Sequence, residues 1–317
     1  LTFWLGTLAY RRQKNSLWFL SGLLLGLSFY TYLAARFIPL LLILLVLFLL
    51  LTRRGRHLWP GIAWFMLGSF LSLVPFLFLV GQQPDLILGR SGQVSILHPD
   101  VNGGDLWGTL RQHIVATAGM FIWRGDGILR HNPAGRPVFD LLMVVPFLLG
   151  LIWCVRHWRR PAALALLMWV VLMLGPTLFA ADAPHFLRAA GILPASIYLP
   201  AMGLEQIWVW NRLSQKVRAL LVGGLILGSL LLTIRDYTAY GRDPQVANAF
   251  ELVAADLARQ LNEETAVTNL FVDQKLWSDW PSLSFLVTDP NRMHLFSSAA
   301  DLPQQIVAPA AIYAWPY

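Results

Sequence analysis

Charge is scarce in this chain. Only 13% of its 317 residues are Asp, Glu, Lys or Arg, against about a quarter in a soluble domain. Cysteine is scarcer: Cys154 stands alone, which excludes a disulfide framework and any cysteine-built metal site. Its apolar neighbours assign it to packing. What fills the chain is hydrocarbon, with 56% hydrophobic residues and 14 Trp and a mean hydropathy of +0.57. The composition predicts a mainly α, polytopic transmembrane helical bundle. The chain opens on Leu1-Thr2-Phe3-Trp4 without an initiator Met or a basic lead-in, and is read as a fragment of a longer protein.

Apolar runs of about 20 residues suit a hydrocarbon core of ~30 Å. After the tail of a helix at residues 1–10, spans are predicted at 17–35, 37–51, 59–80, 137–155, 162–181, 186–210 and 219–234. Gly22, Gly26 and Ser28 permit close helix packing in the first of these, and Pro75 is a candidate kink. Twelve of the 24 Lys and Arg fall in short loops at 11–14, 53–56, 156–160 and 212–218. Those loops are assigned to the cytoplasm. Alternation then places Arg36, residues 81–136, residues 182–185 and everything after Ile234 on the opposite face. The formal charge of +7 is thus a topology signal and not a nucleic-acid footprint.

Two domains follow: a transmembrane helical domain at 1–235 with an external loop at 81–136, and a small extracytoplasmic α/β domain at 236–317, itself truncated. In the loop, residues 106–123 predict an amphipathic interfacial helix. In the outer domain, residues 248–261 predict an amphipathic helix, and residues 266–272 and 284–288 predict strands. That domain carries no Gly-rich phosphate loop and no metal-ligand spacing, and no site is expected there.

The polar residues of the outer face are few. The stretch 124–140 packs Asp126, Arg130, His131, Asn132 and Arg136 between glycines and prolines; the bland reading is a solvated turn-rich loop. Arg36 ends a span beside Tyr30 and Tyr32, as a snorkelling anchor or as a phosphate contact, since guanidinium binds phosphate bidentately. Asp182 is placed as an N-cap, Pro184 in the first turn, and His185 and Arg188 at i and i+3 on one helix face. That is an anion site, unless Arg188 snorkels or pairs with Asp182. Together Arg36, Arg130, His131, His185 and Arg188, with Tyr32 and Asp126, form a cationic pocket suited to a lipid phosphate. His98 and His113 lack a partner at metal-ligand spacing, so the residues present suggest no metal site and no cofactor is evident, while dependence on a divalent metal is left open.

Three segments in this order, Gly26-Leu-Ser-Phe-Tyr-Thr-Tyr-Leu-Ala-Ala-Arg36, Arg130-His-Asn-Pro-Ala-Gly-Arg-Pro137 and Ala183-Pro-His-Phe-Leu-Arg-Ala-Ala-Gly191, resemble bacterial polytopic glycosyltransferases of the GT-C superfamily. The likeness lies near protein O-mannosyltransferases and the lipid A aminoarabinose transferase. It implies a multi-pass protein of the bacterial inner membrane that moves a sugar from a polyprenyl-phosphate donor to a protein, lipid or glycan on the extracytoplasmic face. It also implies a catalytic acidic pair in the first external loop, which would lie upstream of Leu1; the membrane part of this chain holds no such pair, and Asp126 is at best a substitute. The alternative from another class is a non-catalytic flippase of lipid-linked sugars or a polysaccharide-assembly transporter. Polar residues gathered on one face, and not at mid-membrane, favour the interfacial enzyme.

Overall fold

The structure is a computed structural model that describes residues 1–31, 33–51, 58–84, 95–264, 267 and 269–314. It is mostly helical and divides into two units, Leu1–Ile234 and Arg235–Tyr317.

In the first unit the helices are α1 Thr2–Arg12, α2 Asn15–Ser28, α3 Ile38–Leu51, α4 Trp59–Gln82, α5 Pro99–Asn102, α6 Leu106–Gly119, α7 Leu141–Arg156, α8 Pro161–Met173, α9 Gly175–Leu178, α10 Phe186–Ala189 and α11 Leu193–Trp208; α12 Gln215–Gly241 runs past the division. Among the described residues, four stretches are long and apolar enough to cross a membrane: Trp59–Gln82, Pro161–Leu178, Phe186–Trp208 and Gln215–Gly241. Asn15–Ser28, Ala35–Phe48 and Leu141–Arg156 are shorter apolar helices. In lipid, helices associate by close packing and not by hydrophobic exclusion. Glycine therefore sets the contacts. Any side chain on Gly22 would collide with the Phe65 carbonyl of α4, and one on Gly150 of α7 with the Leu199 carbonyl of α11. A core of Leu41, Met120, Phe121, Phe147, Cys154, Ala189, Ile192 and Leu199 fills the space beside α7 and α11.

In the second unit α13 Pro244–Ala249 and α14 Leu252–Glu263 lead into β1 Asn269–Asp273, followed by α15 Gln274–Asp279, α16 Pro281–Leu286, β2 Met293–Phe296 and β3 Ala310–Tyr313. The strands form a parallel sheet in the order β2-β1-β3. Two corrections to the sequence reading arise here. The single helix expected at 248–261 is two, because Glu251 adopts a left-handed φ of 55° between them and its carboxylate accepts from Ser282 N–H and Oγ–H. Residues 284–288 are not a strand, since Pro281 opens a helical turn that takes in Ser284 to Leu286. Ala266, at the start of the first expected strand, lies outside the described residues, as do Tyr32 and the basic residues 53–56.

Candidate functional site

The loop 124–140 is a built structure. Gly125 N–H donates to the Gly135 carbonyl (3.0 Å) and Gly135 N–H to that of Asp126 (2.8 Å), while Val138 and Phe139 donate back to Met120 and Phe121. Gly135 takes a φ of 74°, available to glycine at low cost. Asn132 is buried and donates to the Arg136 carbonyl at 3.0 Å. Asp140 caps α7, accepting from the Leu142 and Met143 N–H groups, and its other oxygen accepts from Ser229 of α12. Arg136 donates to Thr233 one turn further on. Phe139 and Phe121 pack on Phe147 with centroids 4.6 and 5.4 Å away, so the loop rests on the apolar core.

At its centre Asp126 is 1% exposed and His131 7%. His131 Nδ1–H donates to Asp126 Oδ2 at 2.6 Å. The same oxygen accepts from Phe186 N–H at 2.8 Å, sixty residues along the chain, and Oδ1 accepts from Ile128 N–H at 2.7 Å. Burial alone would raise the Asp126 carboxyl; the His131 hydrogen bond and the two amides outweigh it and hold the group below the usual carboxylate range. An ionised carboxylate only accepts, so His131 carries a proton on Nδ1, and Nε2 is a proton acceptor whenever the ring is neutral.

His185 packs its ring on that of His131, with centroids 4.6 Å apart. Its backbone N–H donates to Thr177 Oγ1 at 2.9 Å, and Thr177 is fully buried at the end of α8–α9. His185 itself, and not Asp182, caps α10: its Nδ1 accepts from Arg188 N–H at 3.3 Å. The expected N-cap fails because Asp182 to Pro184 precede the helix as a turn. The helix is also a single turn before the chain tightens into a 3₁₀ segment at Ala190–Ile192, so no helix-dipole site forms there. Burial, then the charges of Arg188 and His131, push His185 down against the pull of Asp126 and Asp182, leaving a neutral imidazole with its proton on Nε2.

Arg188 extends toward Asp182, but Nη1 stays 3.9 Å from Oδ2 and has no hydrogen-bond acceptor despite being buried. Arg36 lies on a 3₁₀ turn, Leu33–Phe37, that packs against α9 and against Ala190–Ile192. Its guanidinium stacks on Phe76 at 5.3 Å, and its buried Nε also lacks an acceptor. His113 ties α6 to the same region through the Leu178 carbonyl at 3.0 Å.

Of the residues singled out in the sequence, the structure brings together Asp126, His131, His185 and Arg188, with Arg36 on a neighbouring turn. Arg130 is exposed on the loop, and Tyr32 is outside the described residues. Thr177 and the Phe186 amide escaped sequence reading, since nothing local marks a threonine as the acceptor of the His185 N–H or a backbone N–H as the donor to a carboxylate sixty residues away. Asp126, His131 and His185 each offer a ligand atom, all within 4.8 Å of one another. A divalent cation taken by the two Nδ1 atoms would have to displace the His131 proton from Asp126 and the Arg188 amide from His185. In its hydrogen-bonded form the cluster is a carboxylate-oriented imidazole beside a neutral N–H donor and the Arg188 guanidinium, whose buried Nη1 has no acceptor. No protein-family model, curated protein sequence or solved structure matches the chain.

Proposed function

We propose that this chain is part of a multi-pass membrane glycosyltransferase that moves a sugar from a polyprenyl-phosphate donor to an acceptor hydroxyl, on the extracytoplasmic face. One observation carries the reading: the buried Arg188 Nη1 lacks an acceptor next to the Asp126–His131–His185 cluster, and the buried Arg36 Nε on a neighbouring turn lacks one as well. A buried unpaired donor costs about 1–3 kcal/mol, more when charged, and a phosphate removes that cost. The location suits a lipid-borne phosphate, because the helices entering the site are apolar along their length.

In this reading Arg188, Arg36 and the His185 Nε2–H hold the donor phosphate and stabilise the negative charge it gains as the sugar C1–oxygen bond breaks. His131 Nε2 takes the proton of the acceptor hydroxyl as its oxygen bonds to C1, and Asp126 orients that imidazole. The placement of the basic loops at 11–14, 156–160 and 212–218 supports the sidedness.

The test uses the full-length protein in nanodiscs with a polyprenyl phosphate and the matching prenol. Arg188→Gln is expected to weaken binding of the phosphate about tenfold or more, one charged hydrogen bond, and to leave the prenol unaffected. Equal affinity of parent and variant would remove the phosphate from this site. Binding without transfer of a labelled sugar to any acceptor would point instead to a flippase.

A further inference from the structure

The second unit contains a concavity of about 560 Å³, within the roughly 300–1,000 Å³ range of small-molecule sites. It lies at the carboxyl ends of parallel strands, where open α/β sheets place their ligands. Tyr313 closes β3, and Leu276 and Trp280 follow β1 through α15. The facing wall is one side of α14, where Asp256 and Gln260 stand four residues apart, joined by Asn248 from α13.

The lining decides the ligand class. The described residues around the concavity include no Lys, Arg or His, so nothing there holds a phosphate or a carboxylate. Asp256 is engaged by Arg259 at 3.2 Å, which balances its charge and disfavours a cationic ligand. What remains is two aromatic rings, two carboxamides able to donate and accept, and a carboxylate that accepts, over the buried floor of Leu276. An uncharged ligand rich in hydroxyls and with an apolar C–H face meets every one of these demands. A purely apolar ligand would leave the carboxamides unused, and an anionic one would find no cation in the lining.

We infer that the second unit binds a neutral carbohydrate in this concavity. Trp280 and Tyr313 supply faces for the pyranose C–H groups, and Asn248, Asp256 and Gln260 hydrogen-bond its hydroxyls. The inference stands on the second unit alone and does not rest on the glycosyl-transfer reading.

Saturation-transfer NMR on the full chain in nanodiscs tests it, with methyl glucoside, methyl mannoside, N-acetylglucosamine and cellobiose as probes. Saturable transfer into the ring protons of at least one probe is expected. Trp280→Ala should abolish it, and Gln260→Ala should weaken it about tenfold, as loss of a central contact does. Gln260 is exposed, so that variant decides the matter if Trp280→Ala fails to fold. Arg188→Gln in the first unit should leave the signal unchanged. The inference is overturned if no probe shows saturable transfer, if Gln260→Ala binds like the parent, or if Arg188→Gln removes the signal.

Discussion

Replacing Asp126 by Asn tests whether the carboxylate organises the site. The side chain accepts three hydrogen bonds, two on Oδ2 and one on Oδ1. An asparagine offers one acceptor oxygen and one donor nitrogen. If its oxygen keeps His131 and Phe186, the amide faces Ile128 N–H, donor against donor, and a buried donor goes unsatisfied at about 1–3 kcal/mol. The two retained bonds lose their charge and about half their strength, a further kcal/mol or so. The expected loss is therefore about 2–4 kcal/mol. Part of it belongs to the pair with His131, so a double-mutant cycle of Asp126→Asn with His131→Ala should show a coupling of about 1–3 kcal/mol. The measurement is reversible unfolding of the purified chain in detergent, followed by tryptophan fluorescence. Strict additivity, or an Asp126→Asn variant within about 0.5 kcal/mol of the parent, the range of an indifferent surface change, would refute the dyad.

Acidification should destabilise the first unit in two steps. His185 is held below its unfolded value of about 6.5 and Asp126 below about 3.9, so in each window the unfolded chain binds more protons and stability rises with pH. Stability is thus lost first as the pH falls below about 6.5, through His185, and again below about 4, through Asp126. His185→Asn keeps a capping side chain and should remove only the upper step in pH-dependent melting; an unchanged upper step assigns it elsewhere. Gly150→Ala drives a methyl group into the Leu199 carbonyl, and overpacking of that kind costs about 1–3 kcal/mol. A thermal midpoint equal to that of the parent would show that α7 and α11 do not meet at Gly150.

The four helices long and apolar enough to cross a membrane were legible because a long apolar run has few solutions in lipid, where each backbone N–H must bond within its own segment; the spans expected at 17–35, 37–51 and 137–155 are instead shorter apolar helices. The predicted boundaries failed where turn chemistry decides them, as at Glu251 and at Pro281. Strands β2 and β3 were missed because each is four residues long, too short for alternation to show, and because their partner β1 is distant in sequence. The site was half legible. A polar knot at 124–140 and a His-Arg pair at 185 and 188 stand out against hydrocarbon, but their meeting depends on a tertiary contact. The bond from the Phe186 amide to Asp126 has no local signature. Each imidazole is oriented by a local partner, His131 by Asp126 and His185 by the Arg188 amide, but it is the long-range bond that brings the two together.

That contact depends in turn on how α7 and α11 are joined. The loop carrying Asp126 and His131 runs into α7 through the Asp140 cap, and the turn carrying His185 runs through α10 and a 3₁₀ segment into α11. The two helices are clamped reciprocally, Gly150 against the Leu199 carbonyl and Gly203 against that of Pro146. Two loops each anchored to one member of a glycine-locked pair have little freedom to separate. A hydrogen bond between their tips can then hold its geometry without covalent help. Widening the pair by one methyl group tilts both anchors, so the Gly150→Ala variant should lose phosphate affinity along with stability, although Gly150 itself lies in mid-helix and outside the cluster.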